Sequence, residues 1–297
     1  MKPWAILEQQ LRATLYTNIF KHSPRFQPWG FKLKKNKTMT ATGKIELMAP
    51  AGNFESMQAA LDNGCDSIYF GVEQLNMRAR ATVNFVLDDL PEIARRCNEK
   101  NVRTYLTLNT IIYDHDLSIV KTLLTKAKEA GITAVIASDQ AVIMTARSIG
   151  MEVHISTQLN VTNIETVKFY AMFADTIVLS RELSLRQVKK ITDEIEKEQV
   201  KGPRGNLVEI EIFGHGALCM AVSGKCYLSL HSHNSSANRG ACKQNCRKKY
   251  TVIDQESGFE IEVDNEYLMS PKDLCTLDFL DQVIDSGIKV LKIEGRG

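Results

Sequence analysis

The chain has 297 residues, 44% apolar and 24% charged, close to average globular usage, which excludes wholesale disorder, collagen-like repeats and a coiled coil. Its net charge of +2 hides an asymmetry: residues 1–43 carry eight Lys/Arg against one Glu, so the rest is acidic and overall composition gives no argument for nucleic-acid binding. No run of about 18 apolar residues exists that could span a membrane.

The first 43 residues hold Trp4, Trp29, Pro3, Pro24, Pro28 and the cluster Lys32, Lys34, Lys35, Lys37. Glu8, Gln9, Gln10 and Arg12 interrupt the apolar run a secretory signal needs, while the scarcity of acidic residues resembles a transit peptide. With Met39 just ahead of the first strand, the segment reads better as a disordered extension or a mistaken upstream start. Residues 44–297 are then the folding unit.

From Lys44 onward short β-rich runs alternate with helical ones, the pattern of parallel strands joined by crossover helices. The expected strands are Ile45–Ala49, Ser67–Gly71, Arg103–Asn109, Ala134–Ser138, Glu152–Thr157, Thr176–Ser180, Val208–Phe213 and Lys289–Glu294. Between them, apolar residues at helical spacing predict helices over Phe54–Asn63, Leu90–Glu99, Leu117–Ala130, Ala141–Ile149, Ile164–Phe173, Leu185–Glu198 and Leu274–Asp285. Thr162 with Glu165, and Ser184 with Gln187, have capping-box spacing. Gly64, Gly131, Gly150 and Gly287 follow four of the helices as stop signals.

Eight β/α units over about 250 residues predict an α/β fold of the (β/α)8 TIM-barrel type. A doubly wound open parallel sheet has the same alternation and is the alternative. Gly297 follows the eighth strand directly, as in a truncated fragment or a barrel whose open wall another chain covers, for instance a homodimer or a heterodimer with a paralogue. About 60 residues separate the seventh strand from the next predicted helix, far beyond the usual 2–6. Residues 214–270 therefore read as an insertion at the C-terminal barrel face, where active sites are built.

Four of the seven cysteines fall there, Cys219, Cys226, Cys242 and Cys246, spaced C-x6-C-x15-C-x3-C. Without a secretory signal, metal ligation is favoured over disulfides. Only one pair is short, whereas structural zinc sites usually show two, so a four-iron four-sulfur (4Fe-4S) cluster is preferred and zinc is the alternative. Cys65 and Cys97 read as core residues, and Cys275 as a residue near a helix start marked by Ser270-Pro271. Arg239, Lys243, Arg247, Lys248 and Lys249 crowd the last two cysteines, either to grip RNA phosphates or as a solvated face.

The run from Glu211 to Ser229, with fixed points Glu211, Phe213, Gly216, Cys219, Gly224, Cys226 and Ser229, resembles the signature of the collagenase-like peptidase family U32. Further matches are Ala49-Pro50-Ala51-Gly52-Asn53, Arg78 with Asn84-Phe85, Asn238-Arg239-Gly240-Ala241-Cys242, Cys246-Arg247 and Ile293-Glu294-Gly295-Arg296. The resemblance covers residues 44–297, without the family's usual C-terminal region. It implies relatives that hydroxylate RNA or ubiquinone while binding an iron–sulfur cluster through four cysteines. Cys246-Arg247 places this chain nearer the RNA-directed members, which use prephenate on tRNA wobble uridine or act on ribosomal RNA cytidine. The expected activity is thus prephenate-dependent hydroxylation of tRNA uridine in the cytoplasm, with tRNA and a small dicarboxylate co-substrate as partners.

A dicarboxylate needs guanidinium groups. Arg78, Arg181 and Arg296 follow expected strands, and Asn84 and Gln158 complete the candidate substrate contacts. His154, Glu182, His215 and Glu294 lie on or beside strand ends and are the candidate acid–base groups. A peptidase is the alternative, yet the sequence has no H-E-x-x-H and no G-x-S-x-G. A His215–Cys219 dyad remains conceivable and would compete with the cluster for one sulfur. A third possibility is a cluster-bearing scaffold that delivers sulfur or electrons within a complex.

Overall fold

The structure is a computed structural model that describes residues 45–72, 75–77, 79, 85–263 and 268–295; the tail reading falls outside these residues. Seven strands come first, β1 Glu46–Pro50, β2 Ser67–Phe70, β3 Arg103–Leu108, β4 Ala134–Ala137, β5 Glu152–Ile155, β6 Thr176–Val178 and β7 Glu209–Gly216. A hairpin of β8 Tyr250–Ile253 and β9 Glu260–Val263, a short β10 Leu274–Cys275 and the last strand β11 Val290–Ile293 follow. Neighbouring pairs from β1 to β7 are parallel, and β11 joins β7 to β1, so eight strands close into a barrel. Closure excludes the open-sheet alternative.

The helices are α1 Phe54–Asp62, α2 Leu90–Glu99, α3 Leu117–Glu129, α4 Gln140–Ser148, α5 Ile164–Ala171, α6 Leu185–Glu198, α7 Leu228–His233 and α8 Leu280–Asp285. α6 shows why they pack as they do: Val188, Ile191, Thr192 and Ile195 fall on one face at helical spacing and are buried, while Lys189, Asp193 and Lys197 stay in water. Gly64, Gly131, Gly150 and Gly287 adopt positive φ after their helices, as expected. Asn63, Ala130, Ile149 and Ser286 cap the corresponding last turns.

Two expectations are corrected. The α5 cap is Asn163, whose Oδ1 accepts the Thr166 N–H at 2.9 Å, one residue later than the Thr162–Glu165 pair suggested. Leu274–Asp285 is not one helix: Leu274 and Cys275 pair antiparallel with Gly216 and His215, and α8 starts only at Leu280. β7 runs past the barrel to Gly216, and its projecting main chain needs partners. Thr276 supplies two hydrogen bonds to the Gly214 carbonyl, 3.1 Å from N–H and 2.8 Å from Oγ1.

Alternate strand residues face opposite sides. Leu47, Ile68, Leu106, Val135, Val153, Ile177, Ile210 and Leu291 join the large apolar cluster beneath the helices, and each such side chain contributes about 1.5–3 kcal/mol on burial. The other parity faces the barrel axis, where Met48, Tyr69, Tyr105, Ala134, Ile136 and Val290 form a small separate cluster. Charged groups fill the rest of that interior instead of the branched aliphatics usual in such barrels. Arg103 pairs with Glu46 at 3.1 Å and Glu152 at 2.8 Å, and Glu152 also meets Arg204 at 2.8 Å. His154 lies between Glu152 (3.3 Å) and Glu211 (3.7 Å), and Glu211 pairs with Lys292 at 2.9 Å.

Candidate functional site

The insertion after β7 folds back over the C-terminal mouth and is fixed at two places. At one, Ser223 meets the barrel: Asn160 Nδ2 donates to its carbonyl and Arg181 Nη2 to its hydroxyl, each at 2.9 Å. Gly224 packs there so tightly that a Cβ would lie 2.7 Å from Gln158 Oε1. At the other, the Ile111 N–H donates to the Asn238 carbonyl at 3.1 Å, and the Arg239 guanidinium holds Asp116 at 2.6 Å. Gly240, with φ +79°, allows an approach at which a Cβ would stand 2.3 Å from the Asn76 carbonyl oxygen.

Between mouth and insertion lies a cavity of about 250 Å³. Tyr69, Thr107, Ile136, Val178, Phe213 and Lys292 border it from the barrel, while Cys219, Cys226, Cys242 and Cys246 all border it from the insertion. The Cys246 thiol pKa is raised, first by burial and then by the neighbouring Cys219 and Cys242 sulfurs. Among the described residues no three His, Cys, Asp or Glu side chains converge on one metal ion. Four cysteine sulfurs bordering one cavity are the donor set that both a structural zinc and a four-iron cluster use.

Other candidates divide sharply. Arg181, Gln158 and Glu294 line the cavity. Arg78, Asn84 and Arg296 lie outside the described residues. Glu182 is exposed, accepts a hydrogen bond from the Ser180 hydroxyl and does not line the cavity. His154 is fully buried inside the barrel, against the Tyr105 ring, and lies off the cavity as well. Burial pulls its pKa down, but the Glu152 and Glu211 carboxylates outweigh that and raise it, which makes it a member of the inner ion-pair network. The Glu211 carboxyl, which burial would raise, is held below its ordinary value by Lys292 and His154.

His215 is buried, burial lowers its pKa, and no hydrogen bond joins it to Cys219 among the described residues. The basic cluster is likewise split. Arg239 is committed to Asp116, the Ile111 carbonyl and the Tyr113 ring, and Arg247 to Asp273 at 2.7 Å; Lys243, Lys248 and Lys249 are exposed. Cys65 and Cys97 are buried core residues, and Cys275 is exposed on β10 outside the cavity. Lys292 is the cavity residue that sequence reasoning missed; its signal was a lysine inside the apolar strand Val290-Leu291-Lys292-Ile293.

The model of peptidase family U32 matches residues 52–297. The chain belongs to peptidase family U32. A U32 peptidase of solved structure superposes with a TM-score of 0.55 at 12% identity, over 89% of this chain and 97% of that one, which agrees with the barrel. Among curated U32 relatives, a collagenase of Porphyromonas gingivalis is 55% identical over 252 residues, covering 85% of this chain and 61% of that protein. A tRNA hydroxylation protein of Bacillus subtilis is 32% identical over 268 residues, 88% of this chain and 61% of that protein. The chain thus spans about three fifths of the length of these U32 relatives.

Proposed function

We propose that this protein is an enzyme of RNA modification in the cytoplasm, hydroxylating tRNA wobble uridine with prephenate as co-substrate and a 4Fe-4S cluster held by Cys219, Cys226, Cys242 and Cys246. The observation that carries the reading is that all four insertion cysteines border one cavity over the barrel mouth. Such a cluster, when bound, supplies one-electron transfer. The chain's own residues do the rest: the insertion covers the barrel mouth, Arg181 offers a guanidinium to a carboxylate, and Glu294 is the carboxyl group at hand for proton movement. Lys243 and Lys248 lie on the insertion surface, where they can meet phosphates, while Arg239 and Arg247 act as struts. The hydroxylation activity named for the B. subtilis relative is in keeping with this chemistry.

Proteolysis is the second reading, favoured by the name of the P. gingivalis relative. Its Cys–His dyad finds little support, because His215 is buried and not bonded to Cys219. The test is genetic and chemical. Deleting the gene should remove 5-hydroxyuridine-derived nucleosides from tRNA, and a Cys242→Ala copy should fail to restore them; unchanged tRNA nucleosides refute the assignment, and loss of 5-hydroxycytidine from ribosomal RNA instead redirects it. Protein purified without oxygen should be brown with iron and sulfide near the ratio of a four-iron cluster. Casein cleavage by metal-free protein, abolished in Cys219→Ala, would favour the peptidase.

A further inference from the structure

Lys292 is 5% exposed, and burying an ammonium costs free energy that a structural role on a barrel strand does not require. Glu211 answers its charge at 2.9 Å, and that carboxylate also faces the His154 ring at 3.7 Å. The ammonium lies 4.3 Å from the centre of the Tyr69 ring and 5.7 Å from that of Phe213. Arg181, reaching in from the other side of the sequence, stands 5.5 Å from the centre of the same Phe213 ring. Both cationic groups therefore lie near the one Phe213 ring of the cavity lining.

The backbone is adapted to this. The β7–β11 register slips between Lys292 and Ile293, opposite Gly214, and such bulges re-aim side chains beside functional sites. Three cationic side chains, Arg181, Arg247 and Lys292, and one carboxylate, Glu294, line the cavity, counted among the described residues; Arg247 and Lys292 are backed by Asp273 and Glu211, which lie outside the lining. Polar atoms wait there too: Gln158 Oε1, Asn238 Oδ1, Thr107 Oγ1 and Thr157 Oγ1 are buried, belong to cavity-lining residues and have no hydrogen-bond partner among the described residues. Unmatched buried acceptors and hydroxyls mark a place for a ligand that brings its own donors. At about 250 Å³ the cavity suits a small metabolite and not a folded peptide.

We propose that Lys292 and Arg181 form the anion-binding floor of the cavity, receiving the carboxylate of a small hydroxy acid whose hydroxyl meets the unpartnered oxygens around it. The proposal deepens the hydroxylase reading and rests on it for the identity of the natural ligand. Lys292 is the anchor, because its ammonium is fixed in place by Glu211, whereas Arg181 is tied to the insertion through Ser223 and couples binding to closure.

The test is calorimetric binding to the full chain, with prephenate and malate as separate probes. Lys292→Met should weaken binding about tenfold or more, the loss of one charge-assisted contact, and Lys292→Arg should restore much of it. Because Lys292→Met leaves Glu211 without its partner, the double variant Glu211→Gln/Lys292→Met removes both charges and must show the same loss. Equal affinity in wild type and the double variant overturns the proposal and leaves the hydroxylase reading untouched. Lys292-dependent binding of malate without binding of prephenate upholds the anion floor and removes the named co-substrate. Binding of neither probe by the wild type also overturns the anion floor.

Discussion

Arg239→Ala should release the insertion from the barrel without unfolding the barrel itself. Nη1 donates to Asp116 Oδ2 and to the Ile111 carbonyl, each at 2.6 Å, Nη2 reaches Asp116 Oδ1 at 3.3 Å, and the guanidinium covers the Tyr113 ring at 4.4 Å. The Asp116 side chain is 6% exposed, so truncation strands a carboxylate in poor solvent, although the Tyr113 N–H still donates to it. Charge-assisted hydrogen bonds contribute about 1.5–3 kcal/mol each; Arg239 is a quarter exposed, so a total of about 2–3 kcal/mol is reasonable. At 1.4 kcal/mol per factor of ten, docking of the insertion weakens roughly 30- to 150-fold.

Hydrogen exchange read by mass spectrometry checks this. Amides around Ile111 and Gly240 should exchange faster by about that factor, while those of β3 and β4 keep their protection. Arg239→Lys, which keeps the charge and loses the fork, should fall between. Acid should act in the same direction: Arg239 holds the Asp116 carboxyl below its usual 3.8, so its contribution is present above about pH 4 and fades as pH falls through the lowered value. Unchanged exchange at Ile111 in Arg239→Ala would show that other contacts hold the insertion and that the reasoning is wrong.

The inner network gives a second prediction. Burial raises the Glu152 carboxyl, but His154, Arg103 and Arg204 outweigh it and bring it to about 2, so its contribution is full above pH 4.5 and lost as pH drops toward 2. Glu152→Gln leaves Arg103 and His154 short of a counter-charge, costs about 3–5 kcal/mol and should lower the melting temperature by roughly 10 °C; a variant that melts like the wild type with the same acid dependence contradicts it. Cysteine reactivity gives a third. Burial pushes the Cys65 and Cys97 thiols up to about 12, so iodoacetamide at pH 8 should label exposed Cys275 and spare these two until denaturant is added. Labelling of Cys97 at the rate of Cys275 would exclude a closed core.

Barrel strands were legible because each is short, rich in branched residues and separated from the next by a helix with an apolar face at 3.6-residue spacing. The long insertion was legible as a break in that rhythm, and its cysteines as a group. Strand Glu152–Ile155 shows where legibility stops: Glu-Val-His-Ile reads as a strand with one wet face, and only ring closure turns that face toward the barrel axis. His154 therefore looked like an acid–base candidate at a strand end, whereas it is enclosed by Glu152 and Glu211. The division of the basic cluster was hidden for a related reason. The local sequence around Arg239 says nothing of whether an Asp from another β/α unit waits for it, and Asp116 lies 123 positions away.

The sequence by itself determined the alternation of strands and helices, the core face of each helix and the four sulfurs on one inserted segment, because these depend on neighbours within about twenty residues. Only the tertiary structure decided that the sheet closes, which charges are spent on one another inside it, and that Lys292 and Arg181 both lie near the Phe213 ring in the cavity that the four cysteines border. Those outcomes depend on residues brought together from opposite ends of the chain, and local pattern carries no record of such distances.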